Sequence, residues 1–174
     1  MPFDFRELDD TVRGLMVKEI EDAVAAGTLF YCERFNDTGT RLWPALLLQA
    51  AREGNEHYLA YQLEALRTMK GFERRRKPKG GYTLAHVPHT AARTFADAEF
   101  NRYYMCAVCR KALAAGKKAV TVYRAKARGR PRTQSQSLIG TTRDAAQLLA
   151  ELRRHPPDRE HPLLLPNSGL SVHS

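Results

Sequence analysis

The sequence is short of cysteine, of acids in its second half and of long apolar runs, and each shortage excludes something. Three cysteines in 174 residues cannot all pair within one chain, which argues against a disulfide framework and for a reducing compartment. No stretch comes near the roughly 18 consecutive apolar residues of a membrane span. The opening MPFDFRELDD is acidic where a secretory leader would be basic and then apolar, so the expectation is a cytoplasmic protein with no membrane partner. A Walker loop, a Gly-rich dinucleotide fingerprint, a nucleophile elbow and HExxH are all missing, and no cofactor is expected. With 43% hydrophobic and 27% charged residues the chain has a globular composition and the length of one domain.

What is present is positive charge, and it is divided unevenly. Residues 1–70 hold 8 Lys and Arg against 12 Asp and Glu, whereas residues 71–174 hold 20 against 7. From Arg110 to Arg132 there are nine basic residues and no acid, and between Arg74 and Arg143 the acids are Asp97 and Glu99 alone. A field of one sign attracts phosphates or an acidic protein surface. The competing reading is a set of solvated arginines with no partner.

Hydrophobic spacing then gives the layout. Leu8, Val12, Leu15, Met16, Ile20, Ala23 and Val24 recur at helical intervals, with Asp4 and Glu7 spaced as a capping box and Gly27 as the stop. Residues 28–35 (TLFYCERF) read as a strand. Two helices follow, about Leu42–Glu53 and Glu56–Met69, broken by Gly54-Asn55. FERRRKPKGG at 72–81 reads as a loop, and Tyr82–His86 as a short strand. The longest helix is expected over about His89–Ala115 with one buried stripe that includes Phe95, Phe100, Tyr104, Val108 and Leu113. A strand over Ala119–Ala125, an apolar SLIG at 137–140 and a last helix, Arg143–Arg154, capped by Thr142, complete the pattern. The fold class is therefore α+β, one domain over residues 1–160 with about five helices and a small sheet of three to four short strands. Residues 161–174 form an apolar, Pro-containing tail whose Leu163, Leu164, Leu165, Leu170 and Val172 must be covered, by the chain's own core or by a neighbouring subunit in a homo-oligomer.

Two local resemblances stand out. ALLLQAAREGNEHYLAYQL at 45–63 resembles the helical hairpin of an ankyrin repeat. It occurs once, and a solenoid needs about three stacked copies, so it is read as an ordinary helical hairpin. Arg128-Gly129-Arg130-Pro131, flanked by Lys126 and Arg132, resembles the core of an AT-hook. That resemblance implies minor-groove binding, with Arg128 and Arg130 as the inserting side chains on a thin Gly-Pro backbone. The same segment also reads as a loop that touches phosphate or only solvent.

His86-x-x-His89 and Cys106-x-x-Cys109 have zinc-ligand types and spacings. The cysteines lie inside uninterrupted helix, where small buried thiols are commoner than ligands, so these four are candidates only and no metal is expected. Catalysis is poorly supported, because a restriction-type nuclease needs an Asp and then Glu-x-Lys on neighbouring strands, and AVTVYRAK at 119–126 carries no carboxylate. Three functions follow. The leading one is nucleic-acid binding through phosphates by a surface spanning residues 74–143, carried by Arg74, Arg75, Arg76, Arg102, Arg110, Arg124, Lys126, Arg128, Arg130 and Arg132. The second is an assembly subunit whose basic face meets an acidic neighbour, and the third a small nuclease-type enzyme. The first requires the cations to gather on one accessible face.

Overall fold

A helix that carries apolar residues on every side has no face to give to solvent and becomes the axis around which other elements pack. That is the position of α4 (Ala91–Ala114), in a computed structural model that describes residues 2–127, 129, 133–154, 157, 161–165 and 168–174. From Ala96 to Cys109 every α4 residue except Ala98 is buried. The single buried stripe expected from the sequence is thus replaced by burial all round, and Leu113, placed in that stripe, is exposed. Around α4 lie α1 (Asp10–Ala25), α2 (Asp37–Glu53), α3 (Glu56–Ala65) and α6 (Ala145–Leu152).

Each of the four surrounding helices starts on a side-chain cap. Asp9, Asn36, Asn55 and Asp144 accept from the backbone N–H groups of Val12, Gly39, Tyr58 and Gln147, which satisfies donors the helix leaves unpaired. The expected capping box at Asp4 and Glu7 lies upstream of the real start. Asp144, not Thr142, caps the last helix, because Thr142–Asp144 forms strand β4.

The described residues form six helices and five strands in two small antiparallel sheets, one α+β domain. In the larger sheet β3 (Ala119–Arg124) is flanked by β4 and by β5 (Leu170–His173). Its buried residues Val120, Val122, Leu170 and Val172 join the main core. Residues 133–137 form the short helix α5, and SLIG continues from it into a turn. The other sheet is a hairpin of β1 (Phe72–Arg76) and β2 (Tyr82–His86). The arginine run read as a loop is therefore a strand. Conversely, residues 28–35 form no strand beyond a single bridge from Phe35 to Met69. Their aromatic side chains serve packing instead: Phe35 lies 5.6 Å from Trp43 and 5.1 Å from Phe95, ring centre to ring centre.

The tail packs on its own chain. Leu163, Leu170 and Val172 are buried in the common core, and Asn101 on α4 donates to the Leu170 carbonyl at 2.8 Å. At the chain end Glu7 accepts from the Ser174 backbone N–H at 2.6 Å and its hydroxyl at 2.9 Å, and pairs with Lys111 at 3.1 Å.

Removing the Leu170 side chain leaves a cavity beneath α4. Leu170→Ala is expected to cost about 2–5 kcal/mol, measured as a lower urea midpoint at unchanged slope. Burial works against the charge of Glu7, but the Ser174 and Lys111 contacts outweigh it and hold the pKa below the ordinary 4.5. A carboxylate depressed in this way stabilises the fold fully above 4.5, and the contribution disappears as pH falls through the lower folded value. Wild type should thus lose more stability below pH 4.5 than Glu7→Gln, in urea titrations at matched pH.

Candidate nucleic-acid interface

Inside a protein a charge must be paired, because its desolvation is costly and a bare ion is worse than no ion. Three of the four body cations named from the sequence, Arg102, Arg110 and Lys126, obey this rule. On α4 Arg102 is 4% exposed and donates from Nη2 to Glu99 Oε2 at 2.6 Å, from Nη1 to the Leu152 carbonyl at 3.1 Å, and stacks 4.5 Å from the Tyr103 ring centre. Burial opposes its charge most strongly, yet Glu99, Tyr103 and Cys106 together outweigh burial and raise its pKa. Burial pushes Tyr103 up to about 12. Lys126 is buried against Asp97, with Nζ 5.1 Å from the Phe3 ring centre.

Arg110 pairs with buried Glu19 of α1 at 3.0 Å, and Arg153 takes the same carboxylate at 2.6 Å. Lys111 lies between Glu7 and Asp9. Arg124 is half-buried and donates to the Ser168 carbonyl at 2.9 Å. Arg102, Arg110, Arg124 and Lys126 therefore do not form one exposed face. Acids from the first half of the chain and from α4 itself neutralise three of them.

The AT-hook-like segment falls on Arg128, Arg130, Pro131 and Arg132, which lie outside the described residues. The zinc candidates stay apart from one another in role. His86 is exposed and stacks on Phe72 at 4.3 Å, and His89 is exposed at the foot of α4. Cys106 and Cys109 are buried within α4, where burial raises both thiol pKa values, Cys109 to about 12. Among the described residues no group of three or more His, Cys, Asp or Glu is placed to hold a metal ion.

The longest run of exposed cations among the described residues is that of the hairpin: Arg74, Arg75, Arg76, Lys77 and Lys79. The turn Lys77-Pro78-Lys79-Gly80-Gly81 closes with Gly80 N–H donating to Lys77 at 3.1 Å and Lys77 N–H to Gly81 at 3.0 Å. Gly80 and Gly81 take φ of +90° and +75°, conformations that side-chain-bearing residues resist. Residues directly opposite share a face in an antiparallel pair. The register Phe72↔His86, Arg74↔Leu84, Arg76↔Tyr82 thus puts two arginines, three rings and Leu84 on one side. Arg74 stacks 4.6 Å from the Tyr82 ring centre, and Phe72, Tyr82 and Leu84 are all exposed. The other face carries Glu73, Arg75, Thr83 and Ala85.

This arm is tied at its root. Arg34 clasps Glu73 with Nε at 2.5 Å and Nη2 at 3.2 Å, and Arg75 adds 2.8 Å. Lys70 N–H donates to the Arg34 carbonyl at 2.8 Å, and Asn36 Nδ2 to the Arg67 carbonyl at 2.7 Å. Gly39 at the start of α2 lies so close to the Thr68 carbonyl and the Phe35 ring that a Cβ would collide with both. Between the arm and the body runs a groove of about 740 Å³, with Phe30, Phe95, Phe72 and Leu84 on its sides and Arg34, Lys70, Arg74, Glu99 and Arg102 among its lining.

Comparison with known protein families, with curated proteins and with solved structures finds no match to this chain. Among the described residues no helix is long and apolar enough to cross a membrane. Sequence reasoning named Arg74, Arg75 and Arg76 but missed their strand and the groove beside it. The signal that could have found the hairpin is the Pro-Lys-Gly-Gly turn between two five-residue segments.

The contacts from Arg34, then Arg75, hold the Glu73 pKa below its ordinary 4.5. The clasp is fully formed above that value and opens as pH falls through the lower folded pKa. Glu73→Gln at neutral pH is therefore expected to speed amide exchange across residues 72–76 and 82–86 while leaving α4 unchanged, by hydrogen-exchange mass spectrometry.

Proposed function

We propose that this protein binds nucleic acid through its phosphates, with the β1–β2 arm as the primary contact. The observation that carries the reading is the arm's charge: five exposed cations on one short ribbon, with Glu73 as its single acid, already clasped by Arg34 and Arg75. Among the described residues Arg76, Lys77 and Lys79 have no ion-pair partner, so phosphate contact would cost them no existing bond. A two-stranded ribbon is also narrow enough to enter a major groove. The basic residues Arg128, Arg130 and Arg132 belong to the same proposal as a second contact, on sequence grounds alone.

The other two readings have less behind them. An exchanged tail would need apolar residues in want of cover, and Leu163, Leu170 and Val172 are already buried on their own core. A metal-dependent nuclease would need a cluster of carboxylates, and among the described residues no three His, Cys, Asp or Glu are placed to hold a metal ion.

Counterion release sets the test. Each phosphate contact adds about 0.7–0.9 to the slope of log affinity against log salt. The triple variant Arg74→Ala, Arg76→Ala, Lys77→Ala is expected to lower that slope by about 2–3 and to weaken binding to a labelled oligonucleotide at low salt at least tenfold, by fluorescence anisotropy. Absence of salt-sensitive binding by the wild-type chain, or a triple variant that binds as well as wild type, overturns the proposal.

A further inference from the structure

A duplex offers phosphates but keeps its base faces stacked, whereas an unpaired strand offers both phosphates and π-faces. The groove under the arm has features that only the second kind of ligand uses. Its volume of about 740 Å³ falls in the range of small-ligand sites, and its two sides present aromatic surface. On the body side Phe95 is fixed by Trp43 at 4.7 Å and Phe35 at 5.1 Å between ring centres, a rigid platform. On the arm side Phe72 and Leu84 share a strand face with Arg74 and Arg76, so apolar contact and phosphate contact are offered together.

The lining also contains an acceptor. Glu99 is 5% exposed and lines the groove. Arg102 engages its Oε2 from both Nε and Nη2, which leaves Oε1 without a hydrogen bond among the described residues. A carboxylate oxygen in a largely dry site accepts from an exocyclic amino group, as glutamate does from cytosine N4. Thymine and uracil turn two carbonyls toward such an oxygen on either side of their one ring N–H, and the like partial charges repel.

We infer that the groove between the β1–β2 arm and α4 takes an unstacked, amino-bearing base of a single-stranded nucleic acid while Arg74 and Arg76 hold its flanking phosphates. This rests on the phosphate-binding reading above and narrows it to unpaired strands with a base preference. The base lies between Phe72 and Phe95, as flipped or single-stranded bases are held between rings elsewhere.

The experiment compares labelled dC12, labelled dT12 and a 12-base-pair duplex by fluorescence anisotropy at low salt, with the full chain and with Phe72→Ala, a substitution at an exposed ring. Expected are about tenfold tighter binding of dC12 than of dT12, and a loss of about tenfold for dC12 in Phe72→Ala with duplex affinity unchanged within about twofold. Cytidine monophosphate is expected to displace dC12 only at concentrations at least a hundredfold higher than unlabelled dC12. Equal affinity for dC12 and dT12, or an equal loss on single strand and duplex in Phe72→Ala, overturns the groove while leaving phosphate binding intact. Displacement by the mononucleotide at the same concentration as the oligomer overturns the strand as ligand. If none of the three oligonucleotides binds, the phosphate-binding reading falls and the groove inference with it.

Discussion

The burial of α4 on all its sides governs the rest of the molecule. A helix with Asp97, Glu99, Asn101 and Arg102 in consecutive turns enters a core only if its charged groups find partners there, because the desolvation of an unpaired charge exceeds what a single apolar contact returns. The partners are specific: Lys126 for Asp97, Arg102 for Glu99, the Leu170 carbonyl for Asn101. They come from the helix itself, from the end of β3 and from β5. The polar groups of α4 thereby fix where the small sheet lies.

The same requirement redistributes charge. A count of 28 Lys and Arg suggests a uniformly basic exterior, yet several of these cations are paired inside or at seams between elements. Glu19 alone takes Arg110 and Arg153, drawing α1, α4 and the end of α6 together. Five exposed cations sit on a ribbon that packs chiefly against itself, has no core of its own and would be marginal if detached. Its rigidity is borrowed from the root, through Arg34, Glu73 and Lys70.

How far the sequence could be read follows from which forces are local. Glycine stops and 3.6-residue spacing are local, and they place α1, α2, α3 and α4 to within about five residues, although the caps expected at Asp4 and Thr142 gave way to Asp9 and Asp144. The Val-Thr-Val-Tyr run places β3 more closely. β1 was hidden because a ribbon exposed on both faces needs no alternation of apolar and polar residues, and three successive arginines carry no strand signal. Residues 28–35 failed in the opposite direction: aromatic content suited to a strand was recruited to pack on Trp43 and Phe95. Among the site residues, Arg74 to Arg76 were legible by charge alone. The fates of Arg102, Arg110 and Lys126 were not, since a partner such as Glu19, 91 residues from Arg110, leaves no trace in local composition.

That long reach also bears on how the chain acquires its shape. The Glu19–Arg153 bond joins residues 134 positions apart, and Glu7 meets Ser174 across 167. Closing loops of that length costs entropy before any contact offsets it, so helical turns can appear long before the carboxylates meet their distant partners. Until then Glu19 and Arg153 remain hydrated and separate, and the ordering of the ion pairs comes among the late events on the route to the native state.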